Sequence, residues 1–235
     1  MMKKAVLLTF ANSAIRSTVL AGDHETGKAT CFMSASKLLP REIPVVEMPL
    51  NVTRARLFGS KGAKGLVDAA SGGYLVVERI NLFDDETVKK IVSLTEEKKY
   101  TLLATANMED GPLPPGFGEW VDMLVMVQSI TDIEERIEIL KRLELYRGDM
   151  KGFYGMYSAS ENRLAERLRR ARKIVESLEL PRETVKRIEA VCKKRKKQDR
   201  SRSLGLAAAS NAALDGRTWA DTRDVEDAVP LVLGG

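Results

Sequence analysis

Residues 22–29 read Gly22-Asp23-His24-Glu25-Thr26-Gly27-Lys28-Ala29, between a β-prone run at 17–21 and a segment of helical character at 29–39. A Gly-x4-Gly-Lys sequence between a strand and a helix predicts a phosphate-binding loop. Its glycines let the backbone curl until successive N–H groups face a phosphate, and the helix N-terminus adds positive potential. The simpler alternative is a glycine turn with a solvated lysine. We expect a nucleotide-binding loop in which Lys28 contacts the terminal phosphates, formed by Gly22, Asp23, Gly27, Lys28, Ala29 and Thr30.

Two positions depart from the chemistry of a hydrolysing phosphate loop. The residue after the lysine is normally Ser or Thr, whose hydroxyl holds Mg²⁺, but here it is Ala29. Thr30 points about 100° further around the helix, which makes it a poor substitute. The apolar run at 74–77 ends in Glu78 and Arg79. Glu78 is a candidate Mg²⁺ ligand through water, with an exposed strand end as the alternative, whereas Arg79 cannot be the base that orients an attacking water.

Strand and helix signals alternate over the first part of the chain and become helical after Asp132. Strands are predicted at 17–21, 43–48, 74–77, 100–104 and 121–127. Helices are predicted at 1–10, 29–39, 84–95, 133–145, 160–178, 181–197, 201–215 and 222–232. Residues 146–158 contain three glycines and several aromatic residues, which predicts a loop or hinge. The pattern indicates an α/β core with a parallel sheet flanked by helices at 1–145, followed by an all-α lid at 150–235.

Three segments together resemble the AAA+ ATPase module of the magnesium chelatase family. Residues 3–30 are similar to its entry helix and phosphate loop. Residues 73–85, Gly-Tyr-Leu-Val-Val-Glu-Arg-Ile-Asn-Leu-Phe-Asp-Asp, resemble Gly-Val-Leu-Tyr-Val-Asp-Glu-Val-Asn-Leu-Leu-Asp-Asp, and residues 104–111 resemble Gly-Thr-Met-Asn-Pro-Glu-Glu-Gly. The resemblance covers the chain nearly end to end. It implies a P-loop AAA+ core with a helical lid, ATP and Mg²⁺ as cofactors, and Asn107 at the polar sensor position.

The chain also departs from that family where hydrolysis is concerned. Active members supply an arginine to a neighbour's nucleotide from Leu-Leu-Asp-Arg-Phe, and the matching stretch here is Gly-Phe-Gly-Glu-Trp at 116–120. Arg200 or Arg202 matches the lid arginine that senses nucleotide, and Arg202 is our candidate. The two segments that carry the family's inserts are shorter. Loss of the Mg²⁺ hydroxyl, the catalytic carboxylate and the donated arginine predicts a subunit that keeps the fold but not hydrolysis, and the same losses could have removed ATP and Mg²⁺ binding.

The family pairs an active AAA+ subunit with a second subunit that carries a degraded AAA+ module, and this chain resembles the degraded module more. The resemblance implies a ring oligomer with a homologous active subunit and coupling to an integrin-like domain or a metal-inserting subunit, for metal insertion into a tetrapyrrole in chlorophyll biosynthesis. The chain is either a module of a longer subunit or a stand-alone relative. Two other functions stay open. One is a competent ATPase in which Thr30 and Glu78 replace the missing groups, and the other is a nucleic-acid-binding AAA+ protein.

Charge and composition restrict the partners. The net charge is +5, but residues 161–200 hold fifteen Lys or Arg against seven Asp or Glu. This basic segment has interspersed glutamates and no aromatic residues for base stacking, which favours a solvated helix face or a docking surface for an acidic partner over nucleic acid. No run approaches the roughly 20 apolar residues of a membrane span. Cys31 and Cys192 lie far apart and His24 is the only histidine. That pattern disfavours zinc and fits a reducing compartment, the cytoplasm or the plastid stroma.

Overall fold

The computed structural model describes residues 1–97 and 99–234, and its centre is a five-stranded parallel sheet. The strands follow the spatial order β2-β3-β4-β1-β5. Because every neighbouring pair is parallel, the carboxyl ends of all the strands lie at the same edge of the sheet. The strands are β1 (Ser17–Gly22), β2 (Val45–Met48), β3 (Tyr74–Val77), β4 (Thr101–Asn107) and β5 (Met123–Val127).

Helices connect the strands and then form the C-terminal region. The α-helices of the described residues are α1 (Met2–Ala11), α2 (Lys28–Ser36), α3 (Arg54–Phe58), α4 (Leu66–Ala69), α5 (Asp85–Glu96), α6 (Phe117–Trp120), α7 (Ile133–Gly148), α8 (Met150–Ile174), α9 (Arg182–Lys194), α10 (Ser201–Leu214) and α11 (Thr222–Val232). None of the helices described here combines the length and the apolar character needed to cross a membrane.

The two faces of the sheet pack against different helices, because successive strand side chains point to opposite faces. On β1, Val19 and Ala21 belong to a hydrophobic cluster shared with α3, α4, α5 and α6. Leu20 belongs to a second cluster, which contains buried residues of α1 and α2 and of all four helices from α8 to α11. The C-terminal helices therefore share one continuous core with a face of the sheet.

The predicted fold class, an α/β core with a parallel sheet followed by a helical region, is confirmed. The prediction of a loop or hinge at 146–158 is wrong, because α8 begins at Met150 and continues through it. The Asp149 side chain caps α8 by accepting a hydrogen bond from the Gly152 amide, and Tyr146 and Phe153 stack edge to face at 5.5 Å between ring centroids. A cap and local aromatic packing thus outweigh the low helix propensity of the glycines. The domain limits 1–145 and 150–235 stay a prediction.

Strand β4 extends three residues beyond the predicted 100–104. Asn107 is therefore the last residue of the strand, paired in register with Gly22 of β1. Residue Glu78 follows directly after β3, the other neighbour of β4. The parallel sheet thus brings three segments that are far apart in the sequence to one edge of the sheet, where the candidate site lies.

Candidate nucleotide site

The loop between β1 and α2 begins and ends with glycines in conformations that other residues rarely adopt. Gly22 has a φ of 148°, and a Cβ atom there would lie 1.8 Å from the Val127 carbonyl oxygen of β5. Gly27 is left-handed, with a φ of 75°, and it is the N-cap of α2. Both glycines of the Gly-x4-Gly-Lys sequence are therefore required by backbone geometry rather than by composition.

The main chain of this loop presents unused hydrogen-bond donors. Over residues 24–30, the backbone N–H groups donate to no protein oxygen among the described residues. The last three of them are the first amides of α2, which have no partner within a helix. A run of free amides that ends at a helix N-terminus is a binding site for an anion such as a phosphate group.

Lys28 lies inside the curl of the loop, buried to 7% exposure. Its ammonium donates to the Gly22 carbonyl oxygen at 3.2 Å, to Thr26 Oγ1 at 3.1 Å and to the Asp23 carbonyl. Burial lowers the pKa of Lys28, and the negative charges of Asp23, Glu109 and Asp110 oppose that shift. The loop therefore holds the lysine in place among its own oxygens.

Arg79 and Asp110 form the opposite side of the site. The Arg79 backbone is left-handed with a φ of 52°, and its N–H donates to Thr105 Oγ1 at 3.0 Å. Its Nε donates to Asp110 Oδ2 at 2.7 Å, and Asn107 Nδ2 donates to the same oxygen at 3.0 Å. The hydrogen bond from Arg79 holds the pKa of Asp110 below its ordinary value. The Arg79 guanidinium thus stands after β3, where a hydrolysing site would have a catalytic carboxylate, and its partner Asp110 follows β4.

Asn107 has a buried acceptor without a donor. Its side chain is 3% exposed, and Oδ1 has no hydrogen-bond partner among the described residues. The main chain on either side is fixed by Asn81, whose Nδ2 donates to the Asn107 and Gly111 carbonyls at 2.8 Å each. Because a buried unpaired acceptor is costly, Asn107 is poised to accept a hydrogen bond from a ligand or its water.

Two adjoining clefts flank the loop. The first has a volume of about 330 Å³ and is lined by residues 24–30 together with Glu78, Arg79, Thr105 and Asn107. The second, of about 570 Å³, shares residues 24–26 with the first and adds the apolar side chains of Ile130, Ile139 and Leu140. One cleft offers charged and amide groups, and the other offers apolar surface beside it.

The structure brings nearly all the residues predicted for the site together. Gly22 and Asp23 start the loop, Gly27, Lys28, Ala29 and Thr30 continue it, and Glu78 and Asn107 line the same cleft. Asp23 serves the loop differently from the others: its Oδ2 accepts from the Ser129 amide at 2.9 Å, which ties the loop to the segment after β5. That hydrogen bond lowers the pKa of Asp23.

Arg202, predicted to sense the nucleotide, lies away from the phosphate loop in this structure. Its Nη2 donates to the Ala14 carbonyl at 3.2 Å and its Nη1 lies 3.5 Å from Asp122 Oδ1, beside the amino ends of β1 and β5. The phosphate loop is at the carboxyl end of β1, about 20 Å away along a six-residue strand. Arg200, the other candidate, is buried and donates to the carbonyls of Val121, Asp122 and Val232. Both arginines join the C-terminal helices to the sheet.

Sequence reasoning missed Asp110 and Asn81 as members of the site. Both lie within the segments that carried the family resemblance, residues 73–85 and 104–111. Their place as polar residues within these two segments was the signal that could have identified them. The hydrogen-bond partner of each residue, however, lies about 25–30 positions away in the chain. Only the parallel pairing of β3 with β4 brings these segments together.

The residues present fit a polyphosphate better than they fit Mg²⁺. Free amides and the Lys28 ammonium suit a phosphate chain, whereas the unpaired Asn107 Oδ1 needs a donor such as a water. A hydroxyl is absent at Ala29, and within the described parts of the chain no group of three His, Cys, Asp or Glu side chains could hold a metal ion. Glu78 remains an exposed carboxylate at the cleft, and its predicted role as a metal ligand stays a prediction.

Comparisons with known proteins find relatives that match most of the chain. No family model matches the chain. It is 23% identical over 296 residues to the magnesium-chelatase subunit ChlI homolog of Methanocaldococcus jannaschii, covering 99% of this chain and 81% of the relative. It is 26% identical over 249 residues to the magnesium-chelatase 38 kDa subunit of Cereibacter sphaeroides (81% and 75% covered), and 23% identical over 299 residues to the chloroplastic ChlI subunit of Glycine max (99% and 71%).

The fold has a counterpart among solved structures. A crystal structure of a provisionally named ATPase from Cytophaga hutchinsonii superimposes with a TM-score of 0.68, at 14% identity, over 97% of this chain and 79% of that one. At that identity the likeness supports the fold alone. The sequence relatives, at 23–26% identity over most of the chain, show that its homologues are ChlI-type AAA+ subunits of magnesium chelatase.

Proposed function

We propose that this chain is an AAA+ subunit that binds a nucleotide and hydrolyses it weakly or not at all. Its role is to scaffold and regulate a homologous, active ATPase subunit in a magnesium-chelatase-like complex that inserts a metal into a tetrapyrrole. The observation that carries the proposal is the phosphate loop itself: free amides at 24–30 surround a buried Lys28, while a guanidinium faces them in place of a catalytic carboxylate.

The neighbouring apolar cleft supports a nucleotide rather than a simple phosphate. It adjoins the phosphate loop through residues 24–26, and Ile130, Ile139 and Leu140 provide a surface for a base. A ligand with charged phosphates and a flat, apolar base matches the two clefts, since small-molecule sites combine apolar surface with a few placed polar groups.

Weak hydrolysis follows from the same residues. A guanidinium cannot accept a proton, so Arg79 cannot activate a water. Its pairing with Asp110 also occupies that carboxylate, which lies close to the site. The position after β3 therefore holds no carboxylate that could activate a water, and Glu78 is exposed at the strand end.

The exposed helix α7 supports assembly with other subunits. It has no buried residue, and Ile133 and Leu145 on it are 70% and 52% exposed. Large apolar side chains clustered at a surface mark sites of protein association. We assign this surface to contact with the homologous active subunit in a ring. The integrin-like domain or metal-inserting subunit is the further partner, and the cytoplasm or plastid stroma is the compartment.

The exposed basic side chains of residues 161–200 fit a docking role for an acidic partner. Several members of this segment are already used within the chain, since Arg167 pairs with Asp215 and Arg187 with Glu226, each at 2.6 Å. Lys193 and Lys194 lie exposed at the end of α9. Such a surface steers a partner of opposite charge.

Calorimetric titration with ATP and a phosphate-release assay test the proposal. The protein should bind ATP, and Lys28→Ala should weaken binding at least tenfold, whereas Lys61→Ala, an exposed lysine away from the cleft, should not. Turnover of the wild type should equal that of Lys28→Ala. Robust hydrolysis that depends on Lys28 would overturn the non-hydrolysing role, and absence of any nucleotide binding would overturn the whole proposal.

A further inference from the structure

Arg79 makes the nucleotide cleft more positive by an amount equal to the charge of one Mg²⁺ ion. In hydrolysing P-loop sites a carboxylate follows the strand here, and Mg²⁺ neutralises the phosphates. Replacing a carboxylate by a guanidinium adds two positive charges, which equals the charge of one Mg²⁺ ion. The substitution therefore supplies from the protein the charge that the ion supplies elsewhere.

The guanidinium is held in a fixed position. The backbone of Arg79 is anchored by its N–H bond to Thr105 Oγ1, and Nε is anchored by Asp110 Oδ2. Asp110 is in turn held by Asn107 Nδ2. The two outer nitrogens, Nη1 and Nη2, make no hydrogen bond within the described residues, and the side chain lines the same cleft as Lys28. A planar fork with free outer donors matches two phosphate oxygens.

Magnesium, by contrast, has lost the groups that would hold it. Mg²⁺ needs near-octahedral oxygen coordination and is usually held by protein oxygens together with the phosphates. Ala29 offers no side-chain oxygen, and the positive charge of Arg79 stands next to Glu78, the one carboxylate lining the cleft near the strand ends. The guanidinium would repel a divalent cation at the place where the ion would bind.

We propose that this cleft binds the triphosphate of a nucleotide free of Mg²⁺, with the Arg79 guanidinium on the outer phosphates opposite Lys28. The inference rests on the proposed nucleotide-binding function and adds the form of the ligand and the residue that selects it. A nucleoside monophosphate lacks the outer phosphates, so it gains nothing from Arg79.

Titration calorimetry with ATP, in EDTA and in excess Mg²⁺, tests the inference on the whole chain. The wild type should bind ATP in EDTA at least as tightly as in Mg²⁺. Arg79→Asn keeps a residue that tolerates the left-handed backbone, and it should weaken binding in EDTA at least tenfold. Arg79→Lys, which keeps the charge but loses the fork, should fall between the two. Arg54→Gln is the matched control, because Arg54 also pairs with a carboxylate at 2.8 Å but lies outside the cleft.

The outcomes separate the two proposals. Binding that requires Mg²⁺ would overturn this inference but leave the nucleotide-binding function in place. The same conclusion would follow if the Arg79→Asn variant bound ATP in EDTA as tightly as the wild type does. No binding of ATP under either condition would overturn the nucleotide-binding function itself. Circular dichroism of each variant establishes that it is folded. If Arg79→Asn does not fold, Arg79→Lys decides: unchanged affinity in EDTA overturns the assigned fork, and a loss of threefold or more supports it.

Discussion

Arg79 and Asp110 form an ion pair of 2.7 Å between Nε and Oδ2, although they lie on segments that follow different strands. The pair changes two features of the site on which an ATPase depends. It puts a cation where a base would stand, and it engages a carboxylate that could otherwise attract a water or a metal. Lys28 and the free amides of the loop remain beside it. This arrangement supports the proposed site, which binds phosphate without cleaving it.

Restoring two of the three lost groups, the hydroxyl and the carboxylate, should restore dependence on Mg²⁺. In the double variant Ala29→Thr with Arg79→Glu, a hydroxyl and a carboxylate return to the positions that hold the ion and orient water. We expect ATP affinity to require Mg²⁺ and Lys28-dependent phosphate release to rise above wild type. Either single variant should stay inactive, because one group remains missing. Phosphate release measured for all three variants checks this, and activity in Arg79→Glu alone would contradict it.

Gly22→Ala should destabilise the protein by about 3 kcal/mol, because an added Cβ would lie 1.8 Å from the Val127 carbonyl oxygen. The backbone of Gly22 cannot relieve the clash without moving β1 away from β5. Urea denaturation measures the change. Gly148→Ala is the control, since no atom lies within 4 Å of its added Cβ, and it should be neutral or stabilise α7 by up to about 1 kcal/mol. Equal losses in the two variants would contradict the packing argument.

Arg202→Gln should leave ATP affinity within about twofold of wild type. The side chain lies at the amino ends of β1 and β5, beside Ala14 and Asp122, and not at the phosphate loop. Titration calorimetry is the measurement, with Lys28→Ala as the variant that must lose binding. A tenfold loss for Arg202→Gln in the isolated protein would show that the C-terminal helices reach the nucleotide.

Charges on the apolar surface of α7 should prevent assembly without unfolding the chain. Ile137 and Leu145 lie on this helix, which has no buried residue, so Ile137→Glu with Leu145→Glu should change the free energy of unfolding by less than about 0.5 kcal/mol. Co-purification with an active homologous subunit should be lost. Lys141→Glu, a charge change on the same helix, is the control and should retain the partner. Retained association in the double variant would remove α7 from the interface.

The stabilising contribution of Asp224 should be lost in acid, so the protein should become less stable there. Burial by itself would raise the pKa of Asp224, but two hydrogen bonds from Arg217, at 2.6 and 2.7 Å, and others from Asn211 and the Asp221 amide outweigh burial and lower it. The ionised form is therefore stabilised in the folded protein. Its contribution is complete above the ordinary pKa of 3.8 and is lost as the pH falls below that value.

Asp224→Asn should accordingly cost about 2 kcal/mol at pH 7, because it leaves the Arg217 guanidinium with an incomplete partner. The difference from wild type should shrink as the pH falls below about 4. Asp227→Asn is the control, since its pair with Lys4 is exposed and contributes about 1 kcal/mol or less. Urea denaturation across pH 3–7 measures both. A difference for Asp224→Asn that is independent of pH would mean that the carboxylate charge does not act in folding.

Three features could be predicted from the sequence alone: the phosphate loop, the parallel α/β core and the absence of a usable base at position 79. These features are local, since glycine conformation, the spacing from Gly22 to Lys28 and the alternation of strands with helices depend on neighbouring residues. Motif resemblance also led to Asn107. Each of these depends on residues close together in the chain, which a pattern can reveal.

The contacts between long side chains of distant segments could be seen only in the tertiary structure. Pairing of β3 with β4 brings Arg79 to Asp110, and packing of the C-terminal helices against the amino ends of the strands removes Arg202 from the loop. The same packing leaves α7 uncovered. Long-range contacts of this kind depend on how whole faces bury their apolar surface, and a charged side chain several bonds long can reach different partners from the same position in the sequence.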